Sequence, residues 1–82
     1  MILITDETKN DFFHSVELFC EKKSAYISLD NRGVVNVLCK NAANRAWRGM
    51  GRFFDSWEQA LAAYKSAAMK AMIELAQRKL SE

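Results

Sequence analysis

From Ala25 onward the chain alternates. Ala25, Ile27 and Leu29 interleave with Tyr26, Ser28 and Asp30, the period-two signature of a half-buried strand. Asp30-Asn31-Arg32-Gly33 is a tight-turn sequence, and Val34 to Lys40 resumes the alternation, with Val35, Val37 and Cys39 on one side and Val34, Asn36, Leu38 and Lys40 on the other. A hairpin is predicted, then a turn over Asn41 to Asn44 and a third strand from near Arg45 to Phe54. Gly49 and Gly51 within that strand predict a bulge, a kink or a local turn. Its register stays open: Arg45, Trp47, Gly49, Gly51 and Phe53 share one face, and Ala46, Arg48, Met50, Arg52 and Phe54 the other.

Helical spacing flanks these strands. Thr5, Asp6 and Glu7 read as a helix cap with an acidic first turn, and Phe12, Phe13, Val16, Phe19 and Cys20 then fall on one helical face, ending in Lys22-Lys23. This predicts a helix over residues 6–22. Alternation of Val16, Leu18 and Cys20 is the rival pattern, broken by Phe19. Downstream, Asp55 with Glu58 or Ser56 with Gln59 forms a capping box, and no breaker follows before residue 80, which predicts one helix over 56–80. Trp57, Ala60, Leu61, Tyr64, Ala68, Met72, Leu75 and Lys79 trace the stripe that covers the sheet. A second stripe, Met69, Ile73, Ala76 and Leu80, begins only in the last turns. A helix of that length measures about 37 Å, whereas strands of six or seven residues span about 20–23 Å. The second stripe is therefore expected to project beyond the sheet and form a homodimer seam.

The expected architecture is α+β, one small domain of helix, three-stranded antiparallel sheet and long C-terminal helix (αβββα). With 82 residues, no proline and three glycines, there is no linker and room for one core. The start, Met1 to Ile4, is too short for a signal-peptide core, and no apolar run spans a membrane, so a cytoplasmic protein without membrane contact is expected. Cys20 and Cys39 lack a metal-site spacing and read as small buried apolar residues.

Charge changes the picture through its distribution. Residues 1–30 hold six acids and three bases, whereas residues 31–54 hold Arg32, Lys40, Arg45, Arg48 and Arg52 with no acid. A one-sign stretch attracts anionic partners, nucleic acid first. Catalysis is not indicated: His14, the single histidine, falls on the polar side of the expected first helix, and Gly49-Met50-Gly51 lacks the third glycine and the Lys-Ser or Lys-Thr pair of a phosphate loop. No enzyme activity, cofactor or metal is expected.

Trp47-x-Gly49, followed by Phe54-Asp55-Ser56-x-Glu58-x-Ala60-x-x-Ala63-Tyr64-x-x-Ala67-Ala68, resembles the third strand and helix of the ethylene-response-factor type DNA-binding domain. The likeness covers residues 45–68. It implies a three-stranded sheet in the major groove, with Arg45 and Trp47 matching the family's contact positions and Arg48 and Arg52 nearby. The family's dense arginine and tryptophan set is missing from the two preceding strands. The order helix, three strands, helix is also similar to that of double-stranded-RNA-binding domains, although Asp55, Ser56 and Glu58 stand where that family places a lysine cluster.

Two functional readings result. In the first, a non-enzymatic module binds nucleic acid, DNA before RNA, through Lys40, Arg45, Arg48 and Arg52 on phosphates or guanine edges, with Trp47 stacking or wedging. In the second, a small inhibitor or adaptor of the kind mobile elements encode uses Trp47, Arg48, Met50, Arg52 and Phe53 as a hot spot for a protein partner.

Overall fold

The alternation that begins at Ala25 extends upstream as well as downstream. A computed structural model describes residues 1–41 and 52–81, residues 40 and 41 by their backbone alone. Five strands, β1 (Leu3–Lys9), β2 (Phe13–Cys20), β3 (Lys23–Asp30), β4 (Val35–Asn41) and β5 (Arg52–Phe54), are followed by α1 (Trp57–Ala63) and α2 (Ala67–Leu80). The sheet is an antiparallel meander in the order β1-β2-β3-β4-β5.

The α+β class stands, but the three-stranded αβββα arrangement does not. The expected helix over residues 6–22 is the hairpin β1–β2. Val16 and Leu18 sit opposite Ile27 and Ala25, and all four are buried. Phe19, which completed the helical spacing, points to the other face and stays 39 % exposed. The rival alternation of Val16, Leu18 and Cys20 is the one the chain uses. Every residue of β1 is exposed, so that strand carries no alternation to read. A bulge at Thr5 shifts its register between Ile4 and Asp6.

Three turns set the register. Asn10 Oδ1 accepts from the backbone N–H of Phe12 and Phe13 between β1 and β2. Glu21 and Lys22 join β2 to β3 as a two-residue loop with φ of 51° and 71°, the geometry of a type I′ turn. Between β3 and β4, the predicted Asp30–Gly33 turn is present. Asp30 Oδ1 accepts from the N–H of Arg32 and Val34, Oδ2 takes the Arg32 guanidinium, and Gly33 sits at φ 86°.

One face of the sheet is covered. Val16, Leu18, Cys20, Ala25, Ile27, Val35, Val37 and Phe54 meet Ala60 of α1 and Met69, Met72, Ile73, Ala76 and Leu80 of α2. The single helix expected over 56–80 is two. Ser56 and Ser66 each cap one, their hydroxyls accepting from the N–H of Gln59 and Met69, and Tyr64 and Ser66 are extended. Lys70 Nζ donates to the Leu61 carbonyl at 2.7 Å, satisfying one of the carbonyls freed at the end of α1. A straight rod would overrun the strands; the break lets α1 lie on β4 and β5 and α2 on β2 and β3. Both stripes are thus drawn toward one core. Met69, Ile73, Ala76 and Leu80, assigned to a homodimer seam, are between 0 % and 5 % exposed inside the chain's own core and form no surface for a second copy.

Candidate nucleic-acid interface

Because the sheet is a meander, sequence order becomes spatial order. The acid-rich first third builds β1, β2 and β3, while the acid-free stretch 31–54 contributes β4 and β5 at the other edge. A charge asymmetry along the chain is therefore an asymmetry across the sheet.

At the basic edge, Arg52 lies opposite Val37, on the helix-covered side but at its rim. Its guanidinium carbon is 5.3 Å from the ring centroids of both Phe54 and Tyr64, and these rings meet edge-on at 6.2 Å. Tyr64 reaches this position because α1 stops there. Two aromatic faces hold the cation without neutralising it. Lys40 pairs with Ser24 near the end of β4. Arg45, Trp47 and Arg48, with Met50 of the protein-binding reading, lie outside the described residues.

Sequence reasoning missed Lys23 and Tyr64 here. Lys23 opens β3 opposite Asn41, donates to Ser66 Oγ at 2.9 Å and acts with Arg52 on the Cys39 thiol. The sequence pattern places it as a helix-end charge; only the turn at Glu21–Lys22 brings it beside the end of β4. Burial pushes the Cys39 thiol above its ordinary value and does the same to the Tyr64 hydroxyl, so both are neutral at neutral pH. Both cysteines are free, Cys20 buried and Cys39 partly so.

The opposite edge is acidic. On the uncovered face, Asp6 of β1 stands directly across from Glu17 of β2. On the helix side, His14 is not a free surface histidine: its Nε2 is 2.7 Å from Glu7 Oε2, with Lys79 Nζ 3.7 Å from Oε1. The His14 hydrogen bond is the main cause that lowers the Glu7 pKa.

The uncovered face is polar at its centre. Thr8, Ser15, Ser28, Asn36 and Phe53 form one row across all five strands. Tyr26 donates to Ser15 Oγ at 3.0 Å, whereas Asn36 Oδ1 is buried with no hydrogen-bond partner among the described residues. Phe53 ends the row 68 % exposed.

Among the described residues, no group of three or more histidine, cysteine or acidic side chains could hold a metal, and no helix is long and apolar enough to cross a membrane. Comparison with protein-family models, curated proteins and solved structures finds no match for this chain.

Proposed function

We propose that this chain is a small non-enzymatic module that binds nucleic acid at the β4–β5 edge of its sheet. The observation that carries the reading is the meander order, which gathers the acid-free stretch at one edge and sets it apart from the carboxylates of β1 and β2. Arg52, held between two rings, and Lys23 and Lys40 at the same end of the sheet are the phosphate contacts, joined by Arg45 and Arg48 from the connecting segment. Trp47 supplies a further ring for stacking or wedging.

The charge count bounds the affinity. If the five cations Lys23, Lys40, Arg45, Arg48 and Arg52 touched phosphates of a duplex, the slope of log K against log salt would be about −4.5. Binding is then of moderate strength and sharply salt-dependent. The test is fluorescence anisotropy with mixed-sequence DNA and RNA at low and physiological salt, for the native chain and a Lys40→Ala, Arg52→Ala variant. Salt-sensitive binding that the variant weakens supports the reading. Absence of binding at low salt refutes it and leaves the exposed Phe53 and Arg52 as candidates for a protein contact.

A further inference from the structure

We propose that the nucleic acid taken by this edge is single-stranded, with one base stacked on Phe53; the proposal rests on the nucleic-acid reading above. Phe53 is a large ring left 68 % exposed on a strand whose next residue, Phe54, is buried at 9 %. It follows Arg52 in β5 and lies directly across from Asn36. Phe53 and Arg52 leave the edge strand on opposite faces, so a single strand that rounds this edge lays one base on the ring and a phosphate one step away toward the cation. In a duplex the face of that base is already covered by neighbouring bases.

Width decides against a duplex. The phosphate lines that border a major groove are about 12 Å apart, or two to three strand spacings of about 4.8 Å. With one line on the β4–β5 edge, the second falls over β2. There Glu17 faces Asp6 across the strand pair on the same uncovered side. Phosphate would meet two carboxylates. A single strand has one phosphate line and can follow the basic edge without crossing the sheet.

The experiment uses a fluorescein-labelled mixed-sequence DNA strand, alone and annealed to its complement, at one low salt concentration. The single strand binds more tightly. Phe53→Ala weakens it by about five- to twentyfold, toward the lower end of what one stacked base contributes, and leaves the salt slope unchanged, whereas Phe53→Trp retains binding. An Asp6→Asn, Glu17→Gln variant tightens the duplex and not the single strand. Because Phe53 is exposed, circular dichroism of its variants should match that of the native chain. Equal or tighter binding of the duplex overturns the proposal. So does a Phe53→Ala variant with native affinity while Arg52→Ala is weakened, an outcome that leaves the underlying reading intact. No binding of either form overturns both.

Discussion

Glu21 and Lys22 make the β2–β3 turn with positive φ at both positions, 51° and 71°, and neither is glycine, asparagine or aspartate. A left-handed conformation costs an L-residue about 1–2 kcal/mol. Both side chains are exposed, so replacing them removes no packing. In Glu21→Asn, Lys22→Gly, the glycine removes the steric cost at residue 22 but returns about 0.5–1 kcal/mol through the freedom it adds to the unfolded chain. Asparagine, which visits this region more readily, recovers part of the cost at residue 21. The net gain is about 1 kcal/mol, which raises the melting temperature of a domain of this size by about 4–8 °C. Urea unfolding followed by tryptophan fluorescence and far-ultraviolet dichroism measures it, with Lys22→Val as the opposite control. A double variant no more stable than the native chain, or a valine variant as stable as it, would refute the two-residue turn and with it the register of β2 on β3.

Ile73→Ala removes a fully buried side chain and should cost about 2–5 kcal/mol; the loss should not depend on protein concentration in chemical denaturation, as it would if Ile73 lay in a seam between copies. Ser66→Ala deletes the cap of α2 and should lower stability by about 0.5–2 kcal/mol, measurable by the same titration. Glu7 and Asp30 both have lowered pKa values, Glu7 chiefly through the His14 hydrogen bond and Asp30 chiefly through the Val34 N–H. Their contribution is complete above the ordinary carboxyl range of 4.5 and 3.8 and is lost as pH falls through the lower folded values. Melting temperatures taken across pH 2–6 should therefore fall on the acid side, and His14→Ala should flatten the part due to Glu7.

The readable parts of the fold were those in which local chemistry and tertiary demand coincide. Asp30 and Gly33 are the residues that their turn requires, and the strands on either side are buried on one face only, so alternation survives. The start of α1 is legible from Ser56 because a cap is a contact with Gln59, three residues on. The β1–β2 hairpin was hidden for two physical reasons: β1 is exposed on both faces and has no pattern, and Phe19 places an aromatic ring on the uncovered side of β2, imitating a helix. The turn that follows lacks its usual residues and suggests no reversal. The break at Tyr64–Ser66 did leave a mark, the shift from one apolar stripe to another, together with a serine that can cap. A shift of stripe is as consistent with a second copy as with a second helix, and burial of Ile73 and Ala76 decides between them. At the candidate site, Arg52 and Lys40 were found through charge. Lys23 and Tyr64 depend on chain reversals and could not be.

The meander also has a consequence in time. As the chain is synthesised, each strand can pair with the one just made, so the apolar side of β2, β3 and β4 is assembled once Cys39 has emerged. Its cover, α2, ends only at Leu80. At about 5–20 residues per second, the intervening stretch of about forty residues takes about 2–8 s. For that interval a nascent sheet displays Val16, Leu18, Ile27, Val35 and Val37 to solvent, with an unpaired strand at each edge. A slow codon between residues 41 and 80 would lengthen the exposure without altering a single contact of the finished protein.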